Sequence, residues 1–375
     1  MSIKNNLLLL LLILAPCFLA AQYEIFEHQG ENRQYLIHIP DNCPEDAPLI
    51  VVMHGYTGNA TGIRNYSGMN AIADQFGFAV CYPNGTKDNS GNRFFNVGYE
   101  FHNNETVDDV DFLIQLTSYL QETYNLSPSK TFSTGLSNGG DMSYKLACEA
   151  SDHFRAIAPV AGTMMKYIYD DCPATGVPVF EIHGTDDDVT YYDGDINNQD
   201  GWGAYMPIPD IIEFWKTANS CAIYNSTNIP NTNLSDGSVI LWESYTGGIN
   251  DSEVWLYKVQ NGGHDWPGAW GNMDINSSLE IWYFFSKFLN PTSSTSQKDI
   301  NRFFQIAPNP GKDTFSLFGL DHSKEHTYRL FNSSGILIEQ GAIIQSELHL
   351  NKTYTDGLYL LFIENTGYAK ILIQN

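Results

Sequence analysis

Apolar positions along the chain fall into two textures. From about residue 22 to 290, unbroken apolar runs alternate with segments whose apolar residues recur at helical spacing. The runs Arg33–Pro40, Ala47–His54, Phe78–Tyr82, Thr131–Gly135, Ala156–Ala161 and Val177–His183 predict strands. Several are apolar throughout, the pattern of strands buried on both faces. Thr106–Asn125 predicts a helix with Val110, Leu113, Leu116 and Leu120 near one face. Further helices are predicted at Asn138–Ala150, Pro209–Ser220 and Ser277–Leu289. This alternation predicts the α/β class, a sheet with helices on both faces.

From about 300 to 375 the runs become short and alternating: Thr314–Leu317, Thr327–Phe331, Ile336–Glu339, Glu347–Leu350, Gly357–Glu364 and Ala369–Ile373. Turn signals such as Asn332-Ser333-Ser334-Gly335 separate them, which predicts a small all-β sandwich. Residues 291–299, beginning with the small-polar stretch Pro291 to Gln297, read as a linker. No internal repeat is visible.

The first 21 residues read as a secretory signal. Lys4 supplies the positive start, Leu7 to Leu14 is apolar, and Leu19-Ala20-Ala21 offers small residues before a cut. No later segment is apolar enough to span a bilayer. Cleavage removes Cys17 and leaves Cys43, Cys81, Cys148, Cys172 and Cys221, so at least one thiol stays unpaired. Cys148 and Cys172, each beside a strand expected to neighbour the other's, form the expected disulfide. The cysteine and histidine spacings fit no zinc site, and no metal is expected.

Acidic residues outnumber basic ones 43 to 19 in the 375-residue chain, a formal charge of −24. That field repels phosphate backbones, so nucleic acid is not an expected partner.

Gly135-Leu136-Ser137-Asn138-Gly139 fits Gly-x-Ser-x-Gly between a predicted strand and a predicted helix. There the flanking glycines permit a sharp elbow that presents the Ser137 hydroxyl at the strand end. A serine nucleophile needs a base and an acid to orient that base, in the chain order serine, acid, histidine. His264, in the glycine-rich Asn261-Gly262-Gly263-His264-Asp265-Trp266-Pro267, is the expected base. The acid is expected from Asp186-Asp187-Asp188, and the residues alone leave the choice among the three open. A calcium loop is the competing reading of that acidic run. His183 is expected as a buried support for the acid loop, and His54 as structural. The backbone N–H groups of Tyr56 and Asn138 are the expected oxyanion donors.

Together these stretches resemble the secreted α/β-hydrolase esterases grouped as polyhydroxybutyrate depolymerase-like and feruloyl esterase-like proteins, carbohydrate esterase family 1. The resemblance runs from Arg33-Gln34-Tyr35-Leu36-Ile37-His38-Ile39-Pro40 to Gly262-Gly263-His264-Asp265-Trp266-Pro267-Gly268, through Tyr82-Pro83-Asn84-Gly85, Val107-Asp108-Asp109-Val110 and His183-Gly184-Thr185. It implies a α/β-hydrolase domain over 22–290, with Ser137 as nucleophile, His264 as base and Asp187 as acid. It also implies Asp108 and Asp109 as helix-capping and bracing residues. No cofactor is expected. The implied substrates are ester-bearing polysaccharides or polyesters. The aromatic insertion at 190–208 and the loop after His264 contribute Trp202 and Trp266 as expected substrate-binding walls. The stretches Phe304 to Pro310, Tyr328 to Gly335, Asp356-Gly357-Leu358-Tyr359 and Lys370 to Ile373 resemble a type IX secretion sorting domain over 300–375. That resemblance implies the outer-membrane export machinery as partner and a secreted or cell-surface location.

Overall fold

The computed structural model describes residues 23–289, 305–318, 320, 326–333, 335–343, 346–363 and 367–375. The expected signal at 1–21 and linker at 291–299 lie outside the described residues. In chain order the first part contains β1 (Glu24–His28), β2 (Glu31–His38), β3 (Ala47–Met53), α1 (Ala60–Ser67), α2 (Met69–Phe76) and β4 (Ala79–Pro83). The small ribbon β5 (Thr86–Lys87) and β6 (Arg93–Phe94) precedes α3 (Asp109–Tyr124), β7 (Leu126–Leu136), α4 (Asn138–Glu149), β8 (Ala156–Val160) and α5 (Lys166–Asp171). It closes with β9 (Val179–Gly184), α6 (Ile208–Ala218), β10 (Ile223–Asn228), β11 (Val239–Thr246), β12 (Val254–Gln260) and α7 (Ser277–Ser286).

Ten strands form one sheet in the order β1-β2-β4-β3-β7-β8-β9-β12-β11-β10. Strands β4, β3, β7, β8, β9 and β12 run parallel, and the two outer strands on each side are joined by antiparallel pairing. The apolar run of β3 explains itself here. Leu49, Val51 and Met53 enter the core under α3, α4 and α6, while Ile50 and Val52 enter the opposite core under α1, α2 and α7. A strand with helices over both faces needs apolar side chains at every position. This is the α/β-hydrolase arrangement.

Asp108 caps α3 by accepting from the Asp111 N–H at 3.0 Å. Asp109 is buried against Arg33 (Nη2 to Oδ1, 2.6 Å) and accepts from the Asn96 N–H at 2.7 Å. The Arg33 guanidinium also lies 3.7 Å over the Phe112 ring. Cys148 and Cys172 are joined as a disulfide, while Cys43, Cys81 and Cys221 are free thiols. Among the described residues no helix is long and apolar enough to cross a membrane.

The C-terminal part is a pair of small antiparallel sheets. Its strands are β13 (Gln305–Ala307), β14 (Thr314–Phe318), β15 (His326–Phe331), β16 (Leu337–Ile343), β17 (Glu347–His349), β18 (Gly357–Ile363) and β19 (Gly367–Ile373). They pair as β13-β14-β17 and β16-β15-β18-β19 around a core that includes Phe315, Leu330, Leu348 and Leu361. This part is seated on the α2/α7 face of the large sheet. Phe331 and Leu360 join that core, with the Phe76 and Phe331 rings 5.4 Å apart. Lys370 reaches a buried pocket where Glu280 and Tyr257 contact its ammonium, with the Trp242 ring 4.6 Å away.

Candidate active site

Because the central strands run parallel, β7, β9 and β12 all end on the same edge of the sheet. Ser137 directly follows β7, the 185–190 loop follows β9, and the 261–276 loop follows β12. Ser137 and the two loops that carry Asp187 and His264, far apart in sequence, therefore lie on one edge of the sheet.

The elbow at Ser137 is built by exclusion. Ser137 has φ 56° and ψ −123°, a conformation that non-glycine residues rarely adopt. A Cβ on Gly135 would lie 2.6 Å from the Gly139 carbonyl carbon, and one on Gly139 would lie 2.4 Å from the Met53 oxygen. Only glycine lets α4 start so close to β3 and β7. The Ser137 N–H is fixed to the Val160 carbonyl at 2.9 Å. Asn138 begins α4 and clamps the neighbouring loop with its side chain. It accepts from the Phe95 N–H at 2.7 Å and donates to the Phe95 carbonyl at 2.9 Å. Along the chain Asn138 is marked only as a backbone donor; its side-chain clamp leaves no signal there.

The loop after β3 lies against the same elbow, since a Cβ on Gly55 would be 3.3 Å from the Ser137 Cβ. His54 pins this loop. Its Nε2 accepts from the Gly85 N–H at 3.0 Å, so Nδ1 carries the proton given to the Gly55 carbonyl at 2.7 Å. Burial pulls the His54 pKa down to about 4, which keeps the ring in this neutral state. The Tyr56 hydroxyl donates to Asp88 at 2.7 Å.

Of the three adjacent aspartates, Asp186 and Asp188 are exposed and Asp187 is buried. Asp187 Oδ1 accepts from the Val189 and Thr190 N–H groups at 2.9 and 2.8 Å, and Oδ2 lies 2.7 Å from His264 Nδ1. Glycine again permits the approach, because a Cβ on Gly184 would meet the Gly262 oxygen at 2.2 Å. Among the described residues no three His, Cys, Asp or Glu side chains are grouped to hold a metal ion.

A crevice opens at Ser137, lined by Tyr99, Asp141, Met165, Trp202 and Tyr205 among others. Asp141 closes its floor, accepting from the Tyr99 hydroxyl at 2.6 Å and the Thr163 N–H at 2.7 Å. Burial pushes the Asp141 carboxyl up to about 7. Trp202 is half-buried and packs edge-on against Tyr99 and Tyr56, with ring centres 5.1 and 5.7 Å away.

Trp266 departs from expectation. It is 1% exposed in the core beneath α7, its indole N–H donating to Ser278 Oγ at 3.2 Å, and it does not line the crevice. The proline and glycine after it turn the chain inward, so its apolar area is used for packing. Trp270 on the same loop is 70% exposed. Two residues outside any motif complete the surroundings. Glu181 and Tyr144 are buried and hydrogen-bonded to each other, and a charged residue inside the otherwise apolar Val179–Ile182 was the available signal.

The chain is similar to known esterases over part of its length. The family described as "Esterase PHB depolymerase" matches residues 34–213. The chain is 25% identical to "Bifunctional acetylxylan esterase/xylanase XynS20E" of Neocallimastix patriciarum, over 69% of this chain and 34% of that one. It is 27% identical to "Feruloyl esterase B" of Piromyces equi, over 62% of this chain and 42% of that one. The match thus spans less than half the length of both relatives. Among solved structures, "Acetyl xylan esterase from Aspergillus awamori" aligns with 17% identity and a TM-score of 0.44, covering 65% of this chain and 94% of that one. This chain thus combines an α/β-hydrolase sheet with a stretch, residues 34–213, that is similar to the esterase PHB depolymerase family, and with partial similarity to esterases.

Proposed function

We propose that the chain is an exported serine esterase that hydrolyses feruloyl or acetyl esters on polysaccharides. The observation that carries this is the buried Asp187 carboxylate 2.7 Å from His264 Nδ1, on the sheet edge where Ser137 sits in a strained elbow. Asp187 fixes the His264 tautomer, leaving Nε2 to take the Ser137 proton as the hydroxyl oxygen attacks the ester carbonyl. The backbone N–H groups of Tyr56 and Asn138 hold the developing oxyanion. The imidazolium then protonates the leaving alcohol, and water, activated by the same imidazole, cleaves the acyl-enzyme. Trp202 supplies an aromatic wall to the crevice, suited to a hydroxycinnamoyl ring or a sugar face. No cofactor enters this sequence of steps.

Poly-3-hydroxybutyrate is the second candidate substrate, favoured by the description of the matching family. The reading of 1–21 as a signal, and of 300–375 as a type IX sorting domain, supports export to the medium or cell surface with the export machinery as partner. The test is hydrolysis of p-nitrophenyl acetate, methyl ferulate, acetylated xylan and polyhydroxybutyrate film by the full chain, with Ser137→Ala alongside. Release of ferulate or acetate by wild type alone is expected. Equal rates in the variant, or no turnover of any ester by wild type, would sink the proposal and favour a binding protein on a hydrolase fold.

A further inference from the structure

A second acid–histidine pair stands directly behind Asp187. Glu181 and His183 are alternate residues on β9, and both side chains are fully buried. The Tyr144 hydroxyl donates to Glu181 Oε2 at 2.9 Å, and Glu181 Oε1 is 2.9 Å from His183 Nδ1. His183 Nε2 lies 2.8 Å from the Thr190 carbonyl and 3.5 Å from Asp187 Oδ2, the oxygen that bonds His264.

The proton positions follow from the donors and acceptors. A carbonyl only accepts, so His183 Nε2 carries a hydrogen toward Thr190. His183 Nδ1 and Glu181 Oε1 then share a single proton, whichever atom holds it. The couple is neutral overall, with its N–H edge facing Asp187. We propose that Glu181 and His183 are positioning residues for the esterase reaction: they fix the Asp187 carboxylate and draw charge from Oδ2, the oxygen that holds His264.

The inference rests on the reading of Asp187 and His264 as catalytic. A buried ionisable couple is an expensive way to fill space, since an apolar pair of similar volume would avoid the desolvation. Burial pushes the Glu181 carboxyl up to about 7. Burial also pulls the His183 ring down, but its hydrogen bond to Glu181 and the nearby carboxylates outweigh that and leave it above its ordinary value. Each direction keeps the shared proton in place. The other groups facing the couple are Asp141 and Tyr144 from α4, and Tyr192, whose ring is 6.0 Å from His183 and lies 5.0 Å from the Lys258 ammonium.

The test is the pH profile of kcat/KM for p-nitrophenyl acetate with the full chain, in Glu181→Gln, His183→Gln, the double variant and the milder Tyr144→Phe. Without the polarised couple, the full charge of Asp187 Oδ2 bears on the His264 ring. The acidic limb is expected to move up by about half a pH unit or more in the first two, and by less in Tyr144→Phe. The double variant is expected to resemble the more affected single variant, because the pair acts as a unit. Thermal unfolding identifies variants that do not fold, and Tyr144→Phe, which removes one hydroxyl, keeps the comparison open if the others fail. Limbs that stay within about 0.2 unit of wild type in every folded variant, with Ser137→Ala inactive, would overturn the inference and leave the esterase reading intact. Activity in Ser137→Ala would instead overturn the esterase reading, a separate result.

Discussion

The Cα of Gly139 lies so close to the backbone of Met53 that a side chain there would put its first carbon 2.4 Å from the Met53 oxygen. The nucleophile elbow and the loop proposed as the oxyanion site are thereby packed backbone to backbone. Gly139→Ala is expected to push them apart, costing about 1–3 kcal/mol of stability as overpacking. It should lower kcat/KM by about 100-fold or more through displaced donors. Urea denaturation and esterase kinetics on the same preparation check both numbers.

The proposed triad has its own kinetic signature. Ser137→Ala, His264→Ala and Asp187→Asn should each reduce kcat by about 1000-fold or more with little change in KM. The Ser137→Ala/His264→Ala double variant should be no worse than the poorer single one, since the two act in one step. Multiplying losses in the double variant would argue against a shared proton transfer.

The two tryptophans separate binding from packing. Trp202 lines the crevice, so Trp202→Ala should raise KM for aryl esters several-fold while leaving thermal stability near wild type. Trp266 is enclosed in the core, so Trp266→Ala should cost about 3–5 kcal/mol of stability. Melting curves paired with KM values distinguish the outcomes.

Asp141 makes stability depend on pH in an unusual direction. Its carboxyl, held near 7 by burial, keeps its proton in the folded chain where the unfolded chain, near 3.8, has released it. Its contribution is therefore complete below about pH 4 and declines as pH rises to about 7, by at most about 1.4 kcal/mol per unit. Asp141→Asn cannot titrate, so the stability of wild type relative to this variant should fall between pH 5 and pH 8. Urea midpoints at the two pH values test this.

The sheet was legible because strands covered on both faces must be apolar throughout, as in Ala47–Met53, and because the Ser137 motif stands between a strand and a helix. The outer strands β10 and β11 were not predicted: β10 is exposed along its length and carries Tyr224, Asn225, Ser226 and Thr227, which leave no burial pattern. Asp187 could be chosen only by resemblance, since inward and outward carboxylates look alike in an Asp-Asp-Asp run. Trp266 and Trp202 also look alike as aromatic residues near glycine. Their different fates depend on whether the following turn carries the ring under α7 or over the crevice.

The seating of the C-terminal sheets on α2 and α7 bears on what a protease clip would accomplish. The side chains of Phe331, Leu360 and Lys370 are held in the larger core independently of the peptide that joins the two parts. Cutting between residues 289 and 305 would sever the covalent tether and leave that grip in place. A nicked molecule would migrate as two bands on a denaturing gel yet elute from a sizing column as one particle, and shedding the tail would require prying an aromatic face open to water.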